Sequence, residues 1–195
     1  MIFFRFPFSE TIYTVEETSF SEAVSFLSFD QSEKINFEGR LKEISKTDFL
    51  NHEVFNDDLN TEFLDFEEEN SAAYQEKLVK VIDFIKANQL SKLVISRRKM
   101  VQFNDSKLSL SQTFLNLCET YKNAFVYFFI KDGECWLGAF SELLGKFDKK
   151  TSEFQTMSLA GTIPVDENWT DKEIEEQKPV TDFISNTLKN YASEV

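Results

Sequence analysis

Along the first fifty positions, apolar and polar residues alternate in short pieces. Ile2, Phe4, Phe6 and Phe8 share one parity, and Phe26-Leu27-Ser28-Phe29 and Lys34-Ile35-Asn36-Phe37 carry similar short alternations. Such period-two patterning predicts several short strands. Between Asp57 and Asn70 the chain is dense in acids (Asp57, Asp58, Glu62, Asp65, Glu67, Glu68, Glu69). The run reads as a solvated surface loop, with a metal or partner site as the alternative, and it closes a strand-rich section spanning residues 1–70.

From Ser71 the period changes. Tyr74, Leu78, Val81, Ile82 and Ile85 fall at helical spacing and predict an amphipathic helix to about Gln89. Leu93-Val94-Ile95-Ser96 then predicts a buried strand, followed by the basic Arg97-Arg98-Lys99. A second helix is expected over Ser109–Tyr121, with Phe114, Leu117 and Cys118 on one side. Asp132-Gly133 joins the runs Phe125–Lys131 and Glu134–Phe140, a strong hairpin signal. Strands are also expected at Leu143–Phe147 and Phe154–Ser158. Thr170 and Glu173 stand at capping-box spacing and open a last helix. It should kink or restart at Pro179, which has no N–H to donate, and then carry the face of Val180, Phe183, Ile184, Leu188 and Tyr191 towards Val195. This order of elements predicts an α+β fold with a largely antiparallel sheet flanked by helices.

Composition narrows the picture. In 195 residues there are 5 Gly and 3 Pro, about 4% where average usage gives roughly 12%. Fibrous and linker-like chains are excluded, and 22 Phe supply a core. A net charge of −13 argues against nucleic acid and anionic membranes as partners. Two cysteines, Cys118 and Cys135, make no disulfide framework, so a reducing, cytoplasmic setting is expected. The apolar start has Arg5 inside it and does not read as a signal peptide.

Gly133, Gly138, Gly145 and Gly161 lie close together in sequence, but none forms a phosphate-binding loop. The single histidine, His52, reads as an exposed loop residue, and the cysteines as small core residues without zinc spacing. Four segments, however, resemble motifs of the chorismate-utilising enzymes, the family of isochorismate, salicylate, anthranilate and aminodeoxychorismate synthases. They are Ser91-Lys92-Leu93-Val94-Ile95-Ser96-Arg97, Trp136-Leu137-Gly138-Ala139-Phe140-Ser141-Glu142-Leu143-Leu144, Met157-Ser158-Leu159-Ala160-Gly161-Thr162-Ile163-Pro164 and Glu175-Glu176-Gln177-Lys178-Pro179-Val180. No one of them is specific; their order over about residues 72–195 carries the resemblance, which implies the N-terminal half of that fold.

The resemblance implies a general base at Lys92 and a general acid at Glu142. In the isochorismate-forming branch water adds at C2 of chorismate while the C4 hydroxyl leaves, so one group takes a proton and another gives one. Each would need its pKa moved by burial or neighbouring charge. On spacing alone, Lys92 also reads as an exposed lysine at a helix-to-strand junction and Glu142 as a solvent-facing strand residue. Ala160 stands where aminodeoxychorismate synthases carry a nucleophilic lysine, and Lys92 where the ammonia-using enzymes usually have an uncharged residue. The resemblance therefore favours water as the attacker. Ala160, Gly161 and Thr162 are implied to line the substrate, Gly161 because a side chain would collide with it. A turn glycine and a threonine at a helix approach are the plain alternatives.

The family's Mg²⁺ implies a metal carboxylate at Glu176, with Glu175 a weaker neighbour and a solvated acidic helix face as the alternative. Departures from the motifs are Phe140 and Ser141 before Glu142, Gln177 in place of a histidine, and Pro179. The family is about twice this long, and the helical face still runs at Val195. The expectation is an isochorismate synthase, in menaquinone or siderophore synthesis, that as this chain folds but does not turn over. Another chorismate-utilising enzyme, or an interaction protein retaining half the fold, stands as the alternative.

Overall fold

The structure, a computed structural model, describes residues 1–18, 22–52, 54, 69–90, 92–97, 99, 101 and 108–192. It divides into two compact units, residues 1–64 with 103–141 and residues 65–102 with 142–195. The acidic run Asp57–Glu68, Ser91 and Arg98 lie outside the described residues, as does the end of the chain at Val195.

The first unit is built on a five-stranded antiparallel sheet. Its strands are β1 (Ile2–Arg5), β2 (Ile12–Glu16), β5 (Arg40–Ile44), β6 (Phe125–Lys131) and β7 (Glu134–Phe140), in the order β5-β2-β1-β6-β7. A separate hairpin pairs β3 (Glu22–Leu27) with β4 (Lys34–Glu38). Two helices complete the unit, α1 (Lys46–Leu50) and α3 (Leu110–Thr120). β1 is central, and all four of its residues are buried. Because successive side chains point to opposite faces, Phe3 joins Phe49 of α1, Phe114 of α3 and Phe128 of β6 in one core. Ile2 and Phe4 join Phe37 and Phe129 in another, with Phe26 of β3 4.5 Å from the Phe129 ring.

The expected face of Ile2, Phe4, Phe6 and Phe8 holds for its first members only. Phe6 still packs edge-on against Phe4 beyond the strand. Pro7 cannot donate to a ladder, and Phe8 turns out at φ 59°, 81% exposed, its N–H donating to the Lys122 carbonyl at 2.7 Å.

At the end of β1 lies a feature that the alternation does not foresee. Arg5 is buried, and its guanidinium donates to the carbonyls of Phe6, Ser9 and Lys122 through Nη1 and of Tyr121 and Ala124 through Nη2, at 2.8 to 3.3 Å. Tyr121 caps α3, so the cation sits where the helix leaves carbonyls unpaired.

Asp132 and Gly133 both have positive φ, 54° and 83°, the backbone that a tight two-residue hairpin requires. Ser109 caps α3 by accepting from the Gln112 N–H. His52 is exposed, its ring 5.6 Å from that of Phe3. Cys118 and Cys135 are free, half-buried and packed on the core, and burial pushes both thiols up, Cys135 to about 11.

The second unit holds α2 (Ser71–Asn88), a short hairpin of β8 (Lys146–Asp148) with β9 (Glu153–Gln155), and α4 (Asp171–Leu188). Asn70 caps α2 through the Ala73 N–H, and Gln89 ends it at φ 52°. The expected strand at Leu93–Ser96 does not form. No ladder partner for it appears among the described residues, and Val94 is 79% exposed. A strand is a property of a pair, and an apolar run alone cannot supply the second member.

The other two expected strands are shorter than their apolar runs. Their arms stay together because the Met157 N–H donates to the Leu143 carbonyl at 3.1 Å and the Thr156 hydroxyl to that of Leu144 at 2.8 Å. α4 begins as its sequence predicts: the Glu173 carboxylate accepts from the Thr170 N–H at 3.0 Å and from the Thr170 hydroxyl. It does not restart at Pro179 but continues as one helix to Leu188. The missing N–H removes one bond while those of neighbouring turns remain. Tyr191 lies beyond its end, 86% exposed. Among the described residues no helix is long and apolar enough to cross a membrane.

Candidate functional site

The residues singled out for chemistry all belong to the second unit. Segment 92–97 touches α4 at its start and α2 near its end. Lys92 Nζ donates to Glu176 Oε1 at 3.3 Å, both side chains about one-third exposed, and the Arg97 guanidinium stands 5.8 Å from the Tyr74 ring centroid. An ion pair this exposed contributes at most about 1 kcal/mol. Its consequence is chemical: the ammonium and the carboxylate are each other's partners.

Ala160, Gly161 and Thr162 follow the β9 arm, and Glu142 precedes the β8 arm, so they leave the same end of the hairpin. The loop is fastened to α4. Gln177 Nε2 donates to the Ser158 carbonyl and to its hydroxyl oxygen, both at 2.7 Å. Gln177 Oε1 accepts from the N–H of Ala160 at 3.0 Å and of Gly161 at 3.3 Å. One turn earlier a Cβ on Gly161 would stand 2.9 Å from the Glu173 carbonyl oxygen. Glycine is therefore required by the approach of the loop to the helix backbone, whatever the loop binds. Thr162 is exposed, and Ala160 and Gly161 are half-buried.

Glu142 lies on a different feature, an apolar groove of about 350 Å³ formed with Leu143, Met157, Leu159, Phe183 and Ile184 among others. Lys92, Glu176 and the Ala160–Thr162 loop do not line it. The structure thus joins Lys92 to Glu176, and the loop to α4, while Glu142 lines a groove that Lys92 does not.

Magnesium fits these residues poorly. Glu176 already accepts from Lys92, and Glu173, one turn away on α4, is committed to Thr170. Glu175 is exposed, and among the described residues no three His, Cys, Asp or Glu side chains converge to hold an ion.

Sequence reasoning missed Gln177, which stood out only as a substitution for histidine. Its signal was a carboxamide one turn before the apolar Val180 and two turns before Ile184. Arg5 was also missed as a structural group; an arginine inside an apolar strand was its signal.

The protein class suggested by this α+β arrangement can be tested against known families. A family profile described as chorismate binding enzyme matches residues 12–195. The chain belongs to the chorismate-binding enzyme family. Searches of curated proteins and of solved structures give no significant match.

Proposed function

We propose that the chain carries the chorismate site of an isochorismate synthase, the reaction in which water adds at C2 and the C4 hydroxyl leaves. The observation that carries this reading is the meeting of Lys92 with Glu176 on α4, the same helix that holds the Ala160–Thr162 loop. Three of the segments resembling family motifs thereby converge on one helix. Within the family, Lys92 together with Ala160 in place of a nucleophilic lysine supports water as the attacker.

In this reading Lys92 accepts the proton of water and Glu142 gives one to the leaving hydroxyl. In the structure Lys92 instead donates to Glu176, a contact it would have to leave to meet the water. Glu142 must be brought to the same ligand from its groove. Magnesium enters only through the resemblance, and no step is assigned to it.

Chorismate titrated into ¹⁵N-labelled protein, with Mg²⁺ and then with EDTA, tests the reading. Shifts at Lys92, Ala160, Gly161 and Thr162 are expected; none at millimolar chorismate refutes it. Where turnover is seen, isochorismate lost in Lys92→Ala supports the assignment. Anthranilate with an ammonium requirement moves it to the ammonia-using branch.

A second reading, a non-catalytic interaction protein, is favoured by the exposed apolar residues of the same unit, Leu144 at 94% and Phe183 at 72%. It predicts no chorismate shifts.

A further inference from the structure

The structure assigns Gln177 as the positioning residue of the Ser158–Thr162 loop, a role that rests on the chorismate reading for its ligand but on geometry for its mechanics. A primary carboxamide donates from its nitrogen and accepts at its oxygen, two atoms carried on one carbon. Gln177 uses both: its NH₂ holds the Ser158 carbonyl, and its oxygen takes the Ala160 and Gly161 N–H groups. This is the pattern a neighbouring strand would present to the loop, supplied here by one side chain of α4. The NH₂ is oriented in turn by the hydroxyls of Ser158 and Thr181, which lie 2.8 Å apart.

Gly161 completes the fastening one turn away, where its missing Cβ lets the loop lie on the Glu173 carbonyl. Between them, the two contacts leave the backbone from Ser158 to Gly161 little freedom.

The clamp has a consequence for recognition. The N–H groups of Ala160 and Gly161 are spent on Gln177 and cannot also serve a ligand's carboxylate or developing oxyanion. The group this loop offers to chorismate is the exposed hydroxyl of Thr162, which directly follows the backbone that Gln177 holds.

The test combines amide hydrogen exchange with chorismate binding in Gln177→Met, which keeps the side chain's length and removes every hydrogen bond. Exchange at Ala160 and Gly161 should accelerate about tenfold, with α2 amides unchanged. Chorismate should bind about tenfold more weakly, and its shift at Thr162 should shrink. Unchanged exchange overturns the clamp. Faster exchange with unchanged affinity overturns the positioning role, because a merely structural residue would behave that way.

If Gln177→Met fails to fold, Gln177→Glu keeps the acceptor and loses the donor. The Ala160 and Gly161 amides should then stay protected while affinity falls, and loss of their protection overturns the assignment. If the wild-type protein shows no chorismate shifts, the functional reading fails, and the substrate part of this inference with it. The exchange arm still decides the clamp.

Discussion

In the first unit, Phe49, Phe114, Phe128, Ile2 and Val126 are almost wholly removed from water, and the sheet between them is covered on both faces. In the second, α2 has no buried residue, and the single buried residue among those described is Glu173. The candidate chemistry, Lys92, Glu142, Ala160, Gly161, Thr162 and Glu176, lies entirely in that second unit. Hydrophobic burial holds the first together; hydrogen bonds, caps and exposed or half-exposed ion pairs such as Lys92–Glu176 define the second. Low-stability regions are where binding loops are commonly found, and such a region owes its geometry to individual polar contacts. Loss of one contact there changes the site more than it changes the stability of the whole chain.

The sharpest way to break this comparison is a pair of truncations. Phe128→Ala, in the covered core, should cost about 3–5 kcal/mol. Phe183→Ala, 72% exposed, should stay within about 0.5 kcal/mol. Urea unfolding measures both, and similar costs would show that the second unit is packed as the first is.

Arg5→Met comes next. It removes five hydrogen bonds, leaving the carbonyls of Phe6, Tyr121 and Lys122 with one backbone donor each, and should cost about 3 kcal/mol, a loss seen in thermal melting. Gly161→Ala, which forces a methyl towards the Glu173 carbonyl, should cost about 1–3 kcal/mol. That loss should appear as faster amide exchange confined to the loop and α4.

The smallest expected effect is a pH dependence. The Thr170 hydroxyl and N–H hold the Glu173 carboxyl down at about 2. A carboxyl depressed in the folded state contributes stability above its ordinary range, near 4.3, and loses it as pH falls through that range towards about 2. Amides in the first turn of α4 should therefore open on acidification from pH 5 to pH 2. In Glu173→Gln, which keeps an acceptor but has no charge to lose, they should change little over the same range.

Much of the local structure was legible because its causes are local. Asp132-Gly133 predicts its hairpin because two adjacent residues tolerate positive φ. Thr170 and Glu173 predict the start of α4 because the partners are three positions apart. α2 and α3 follow from their apolar period. The strand expected at Leu93–Ser96 failed because its ladder partner is not a local property. Of the two outcomes expected at Pro179, a restart does not occur, because one missing N–H leaves the bonds of the neighbouring turns in place. Gly161 was legible as a special position; the resemblance gave a ligand as the reason, and the structure gives an independent one in the Glu173 carbonyl.

The sequence by itself determined most of the element types, the start of α4, the tight turn, the acidic charge and the motif order that marks the family, all of which depend on residue types over short spans. Only the tertiary structure decided that Arg5 is a buried clamp, that Lys92 meets Glu176, that Gln177 holds the loop and that Glu142 faces a separate groove. Those facts depend on residues tens of positions apart being brought within a few ångströms. No spacing rule along a chain encodes such meetings, because each is decided by how whole elements pack.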